Sequence, residues 1–299
     1  MRRPVLIEDL GLPTSWVEAL KESGLRLALQ LALSQPDLVA KILGISPTRA
    51  RELIRETAGR LGLERQWIDE VKVSEEKVTT CSSSLDRLLS GGVRVGWVTE
   101  FYGPFASGKT QLCHQLCVSA QLSRERGGLG AKAAYIDTEG SFRPERAKEM
   151  AEALGLDARE ALRNIIVFRP NSVEEQMAAV GELKKMVGRV RLVAVDTIIN
   201  LFRIEYGEEI VKRQWRLLLH LRQLHEVAEA GAAVVVANQV VADPSGVDVP
   251  AGGVVLDAGL IKVKLSKLDG LWRAELESSP DLPEGVAFFK VSREGVRDA

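Results

Sequence analysis

The run Gly103-Pro104-Phe105-Ala106-Ser107-Gly108-Lys109-Thr110 carries the strongest chemical signal in the chain. It fits the pattern G-x-x-x-x-G-K-[ST], follows an apolar stretch over 97–102, and opens a helix at Gln111-Leu112. Glycines let the backbone curl so that amide N–H groups and a helix N-terminus face phosphate oxygens. In such a loop the Lys109 ammonium bridges the β- and γ-phosphates and the Thr110 hydroxyl ligates Mg²⁺. The chemistry is the binding of a nucleoside triphosphate, with residues 103–111 as its cradle.

Hydrolysis needs carboxylates in addition. Arg191-Leu192-Val193-Ala194-Val195-Asp196 is an apolar strand ending in an acid, where Asp196 can hold the magnesium ion through a bound water. Many buried strands end in a turn aspartate, and it is the phosphate loop upstream that favours the functional role. Tyr135-Ile136-Asp137-Thr138-Glu139-Gly140 ends another strand, and ligands of parallel sheets bind beyond the carboxyl ends of strands. Glu139 is therefore placed to orient or deprotonate an attacking water; its plainer alternative is a solvated turn carboxylate. Asn238-Gln239, at the end of the 232–238 strand, offers an amide able to sense the γ-phosphate, or a structural strand end.

The elements that would position these groups alternate along the chain. Strands are predicted over 97–102, 133–137, 165–169, 192–196, 232–238, 260–265, 272–276 and 286–291. Helical stretches separate the first five, which predicts an α/β fold with a mainly parallel sheet covered on both faces. The last three follow closely and are predicted to be antiparallel. Residues 1–63 read as a bundle of short helices, with Pro13, Pro36 and Pro47 at helix starts. Residues 64–78 are charged and aperiodic and read as a linker, leaving 79–299 as the core domain.

Composition narrows the class. Of 299 residues, 45% are hydrophobic and 27% charged, as in ordinary soluble globular proteins. No apolar run approaches the eighteen or so residues of a membrane span, and the basic start leads into acidic Glu8 and Asp9, so no membrane association and a cytoplasmic location are expected. Cys81, Cys113 and Cys117, like His114, His220 and His225, lack metal-binding spacing and are expected to pack structurally. Trp215, read as the start of a 216–229 helix, is expected to pack as well.

Several stretches are recognisable. The run 99–115, the run Tyr135 through Arg146, Phe202-Arg203-x-Glu205-Tyr206, Asn238-Gln239-Val240 and Leu282-Pro283-Glu284-Gly285 closely resemble archaeal RadA, of the RecA family of recombinases. Gly44-Ile45-Ser46 is similar to the second hairpin of that family's helix-hairpin-helix domain. The resemblance implies a RecA-like P-loop ATPase core that uses ATP and Mg²⁺ and works on single-stranded DNA in homologous recombination. It implies Glu139 as catalytic carboxylate, Gln239 as the link from the γ-phosphate to the second DNA loop, and Arg146 stacked on the adenine.

The sequence also departs from that family. Its linker offers Trp67-Ile68-Asp69-Glu70 in place of the Phe-x-x-Ala motif that builds filaments. The first DNA loop, 203–213, sets three cations against three acids, and the second, 241–253, holds Asp243 and Asp248 with no Lys or Arg. Each lost cation removes a phosphate contact and its counterion release. Ser278 stands where the ATP cap carries Asp, and Gly11-Leu12-Pro13-Thr14 lacks a Gly-x-Gly turn. Formal net charge is −1, and residues 1–75 hold eleven cations and eleven anions. Lys262, Lys264 and Lys267 form the best remaining cationic patch, or else lysines on a solvated edge strand. The expectation is a paralogue that binds single-stranded DNA weakly and assists a main RadA recombinase. The alternatives are an active recombinase and an ATP-regulated binding module that never touches DNA.

Overall fold

The computed structural model describes residues 5–34, 36–61, 74–242, 248–252 and 260–299. The chain divides into two compact units, Met1–Lys72 and Val73–Ala299. Trp67 and the rest of the 67–70 motif lie outside the described residues, as do Asp243 and most of the linker.

In the first unit a 3-10 turn over Ile7–Leu10 precedes α1 (Thr14–Glu22), α2 (Ala28–Ala32), α3 (Pro36–Leu43) and α4 (Pro47–Arg60). The prolines sit where their missing N–H is harmless: Pro13 caps α1, and Pro36 and Pro47 begin α3 and α4. Ser46 caps α4 by accepting from Arg49 N at 3.2 Å. Ile7, Leu10, Leu20, Leu31, Val39 and Leu53 close a small core of their own.

The second unit begins with β1 (Lys77–Val78), α5 (Ser83–Leu88) and β2 (Val93–Arg94). Lys77 and Val78, read as linker, instead pair with Arg94 and Val93. Next come β3 (Val98–Tyr102), α6 (Lys109–Ser119), β4 (Lys132–Asp137), α7 (Pro144–Ala153), α8 (Ala158–Arg163), β5 (Ile165–Phe168), α9 (Val173–Met186) and β6 (Val190–Asp196). They are followed by α10 (Asn200–Tyr206), α11 (Ile210–Glu229), β7 (Ala233–Asn238), β8 (Val240–Ala242) and β9 (Asp248–Pro250). The chain ends with β10 (Ile261–Leu268), β11 (Leu271–Ser278), β12 (Gly285–Ser292) and β13 (Gly295–Asp298).

Nine strands form one sheet in the order β13-β12-β11-β10-β3-β7-β6-β4-β5. The pairs from β10 to β5 are parallel, and β11, β12 and β13 extend the sheet antiparallel. The parallel strands are apolar on both faces, as burial under two helical layers requires. Alternate residues serve opposite layers: Ala133, Tyr135, Leu192 and Ala194 pack under α6, while Ala134, Ile136, Val193 and Val195 join the cluster of Leu217, Leu221 and Leu224 on α11.

Three expectations need correction. Lys262 and Lys264 are not on an edge, because β10 lies between β3 and β11, and Lys262 is only 6% exposed. Periodicity marks a strand without saying which strands flank it. The 203–213 stretch is almost entirely helical, with only residues 207–209 between α10 and α11, the turn being closed by Arg213 donating to the Gly207 carbonyl at 2.7 Å. Trp215 consequently lies within α11 and does not open it.

Candidate functional site

The phosphate loop leaves β3 at the sheet's carboxyl edge and turns into α6 at Lys109. Two of its glycines are required by geometry. A Cβ on Gly103 would stand 2.1 Å from the Leu265 carbonyl oxygen, and one on Gly108, at φ +98°, would stand 3.0 Å from Trp272 Cδ1. Lys109 is 8% exposed, and its Nζ donates to the carbonyls of Gly103 at 2.7 Å and Pro104 at 2.8 Å, and to Ser107 Oγ at 3.3 Å. Burial lowers the Lys109 pKa, and the charges of Asp196 and Glu139 oppose that shift. The ammonium is thus held across its own loop by neutral acceptors that a phosphate can replace.

β4 and β6 are parallel neighbours in a register that sets Asp137 beside Asp196. Asp196 Oδ2 accepts from Tyr135 OH at 2.6 Å and Ser141 Oγ at 2.8 Å. Burial, and next the Asp196 charge, push the Tyr135 hydroxyl well up, so it stays a donor. Asp196 Oδ1 is buried without a hydrogen-bond partner. A buried carboxylate oxygen left unmatched is costly, and a water held by a cation would satisfy it. Among the described residues no three His, Cys, Asp or Glu side chains are arranged to hold a metal ion. Thr110 and Asp196, which line one cavity, could together hold a hard cation that keeps waters and shares phosphate oxygens.

Glu139 is presented by a turn that Asp137 ties down: Asp137 Oδ1 accepts from Ser141 N at 2.8 Å and Oδ2 from Phe142 N at 3.2 Å. Glu139 Oε1 accepts from Thr197 Oγ1 and from Gln239 Nε2, both at 2.9 Å. Gln239 follows β7, where Asn238 contributes its carbonyl to Gly103 N at 3.3 Å and its amide to the Ala251 carbonyl at 2.7 Å. Ala251 N in turn donates to the Gln239 carbonyl at 2.8 Å. The phosphate loop, Gln239 and the segment beyond β9 are thereby one hydrogen-bonded unit.

A cavity of about 440 Å³ opens between these elements. Its walls include Phe105, Ala106, Ser107, Gly108, Lys109, Thr110 and Gln111 of the loop, and Glu139, Asp196 and Gln239 from three strand ends. Gly103 and Pro104 form the loop's base through the carbonyls that hold Lys109. Arg146 stands beside the loop helix, Nε donating to Gln111 Oε1 at 2.8 Å and Nη1 to Glu149 Oε2 at 2.8 Å, with further donations to the carbonyls of Ser292 and Arg293. Four more side chains reach the cavity: Ser141, Thr197, Lys267 and Trp272. Ser141 and Thr197 were missed in the sequence, although each stands within two residues of a strand-end acid, Glu139 or Asp196. Lys267 and Trp272 come from a hairpin that only the tertiary fold brings over the loop.

His114 braces the site from behind. Its Nε2 accepts from Arg143 N at 3.0 Å, so the ring proton sits on Nδ1 and is donated to the Thr110 carbonyl at 2.8 Å. The ring stacks on Phe142 at 5.0 Å, and burial lowers its pKa, keeping it neutral. The structural role expected of this histidine fits that arrangement.

At the end of the strands away from the phosphate loop, Asp281 is paired within the chain to Arg94 at 2.7 Å. β8 and β9, which fall almost wholly within the 241–253 stretch, form an antiparallel pair with Val240 opposite Pro250. No described helix is long and apolar enough to cross a membrane.

The protein family described as Rad51 matches residues 72–299. The chain is 40% identical over 314 residues to the DNA repair and recombination protein RadA of Metallosphaera sedula, covering 100% of this chain and 97% of that protein. It is 38% identical over 317 residues to the protein of the same name from Ignicoccus hospitalis, covering 99% of this chain and 97% of the relative.

Proposed function

The chain belongs to the Rad51 family, and from that membership we propose that it is an ATP-binding, magnesium-dependent ATPase acting on DNA in homologous recombination, as a paralogue that assists the main recombinase. The observation that carries the ATPase reading is the convergence of Lys109, Glu139, Asp196 and Gln239 on one cavity, with Asp196 Oδ1 buried and unmatched. Bound magnesium would neutralise charge on the β- and γ-phosphates. Lys109 would exchange its loop carbonyls for phosphate oxygens, and the amides of residues 105–110 would cradle them. Glu139 would hold the attacking water, and Gln239, bonded to the same carboxylate, would report the state of the γ-phosphate to the segment at Ala251. Arg146 would cover the adenine after releasing part of its network.

The assisting role is favoured by the surfaces that would meet DNA and neighbours. The 203–213 stretch balances cations with acids, the 241–253 stretch contains no Lys or Arg, and Ser278 replaces the acid of the cap. The second reading, an active strand-exchange recombinase, is favoured by identity that runs the whole length of two RadA proteins. Electron microscopy with ATP and single-stranded DNA separates the two, since long helical filaments would exclude the assisting role. Salt-dependent binding to single-stranded DNA tests whether DNA is touched at all. Titration of a RadA recombinase against the chain tests the partnership.

A further inference from the structure

Lys267 and Trp272 stand directly opposite each other across the β10–β11 hairpin. Lys267 Nζ lies 4.9 Å from the indole centroid, a cation–π contact that holds the ammonium on one side and leaves its protons free to donate on the other. The indole is itself fixed to the phosphate loop: Nε1 donates to the Ala106 carbonyl at 3.4 Å, and its edge lies against Gly108 so closely that a Cβ there would come within 3.0 Å. Phe289 backs it at 6.4 Å between ring centroids. Both side chains line the same cavity as Lys109, Glu139 and Asp196. Among the described residues no carboxylate pairs with Lys267, whereas neighbouring Lys264 has Glu277 at 3.8 Å. The hairpin thus delivers an uncommitted cation over a loop shaped for phosphate, in a cavity whose two carboxylates otherwise outnumber Lys109.

We propose that Lys267, held in place by Trp272, is a second phosphate-binding cation of this site, contacting the phosphate chain of the bound nucleotide from the wall opposite the loop helix. The assignment rests on the nucleotide reading of the cavity. It gives Lys267 a direct binding role and Trp272 a positioning role, and it withdraws Lys267 from any DNA-binding patch with Lys262 and Lys264.

The test is calorimetric titration of the full chain with MgATP, at low and at high salt, with thermal unfolding as the check on folding. Lys267→Gln is expected to weaken MgATP by about tenfold at low salt, with the penalty shrinking as salt screens the exposed contact. Lys267→Arg should stay within roughly threefold of the wild type because the charge is kept. Trp272→Leu should weaken binding in the wild-type background and add little in Lys267→Gln, the coupling expected of a positioning residue and absent from a merely structural one. Wild-type affinity in folded Lys267→Gln would overturn the proposal while leaving the nucleotide site intact. Penalties that simply multiply in the double variant would overturn the role of Trp272. Absence of MgATP uptake by the wild type would overturn both this proposal and the reading on which it rests.

Discussion

Gln239 donates its side-chain amide to Glu139 Oε1 at 2.9 Å, joining the ends of β7 and β4 across the intervening β6. Thr197, from the end of β6 itself, donates to the same oxygen at 2.9 Å. Three strand ends therefore meet on one carboxylate atom, leaving Oε2 for a water. In the proposed mechanism, hydrolysis and its structural readout would share this one carboxylate.

Glu139→Gln replaces an acceptor with an amide that cannot take a proton. ATP turnover should fall by at least about 100-fold, with MgATP affinity within roughly threefold of the wild type. Equal losses in turnover and affinity, measured by phosphate release and calorimetry, would assign Glu139 to binding instead.

Gln239→Ala removes one of two donors to Glu139, and so disconnects that carboxylate from the Gln239 main chain, whose carbonyl accepts from Ala251 N. Turnover should drop by about tenfold, and any stimulation by single-stranded DNA should disappear, because the remaining Thr197 contact orients the carboxylate without reporting on it. Stimulation surviving at the wild-type ratio would refute the coupling.

Lys109→Ala deletes the buried ammonium that spans the loop. Losing a charge-assisted phosphate contact is worth about 2–4 kcal/mol, so MgATP should bind roughly 30- to 1,000-fold more weakly. Near-normal turnover in this variant would dismiss the phosphate-loop assignment.

Asp196→Asn keeps the shape and weakens the pull on a cation. The magnesium concentration that half-saturates ATP binding should rise by about tenfold, while binding of ATP without magnesium changes little. An unchanged magnesium requirement would remove Asp196 from the cation site.

His220 is fully buried on α11, with Gln176 Nε2 at 3.0 Å from its Nε2, and burial lowers its pKa from 6.5 to about 4. The unfolded chain therefore takes up this proton first as pH falls. The stability it protects is complete above pH 6.5 and is lost on descent to about pH 4. The loss amounts to about 3 kcal/mol, and His220→Leu should flatten that part of the urea-unfolding profile whatever its stability at neutral pH. Parallel profiles for the two proteins would contradict the assignment.

The phosphate-loop pattern and the class of the fold were legible in the residues alone. Gly103, Gly108, Lys109 and Thr110 sit at fixed local spacings, and a turn between a strand and a helix is built from consecutive residues. Apolar runs separated by helical stretches likewise marked the parallel strands, and the prolines marked helix starts. What the tertiary structure decided was which distant strand ends meet. The β3-β7-β6-β4 order alone brings Glu139, Thr197 and Gln239 onto one atom, because strand order comes from packing between segments far apart in the chain. The same reason left β10 open to a mistaken edge-strand reading and placed Lys267 and Trp272 over the phosphate loop. A lone lysine and a lone tryptophan carry no signature until a hairpin folds across to meet Ala106 and Gly108.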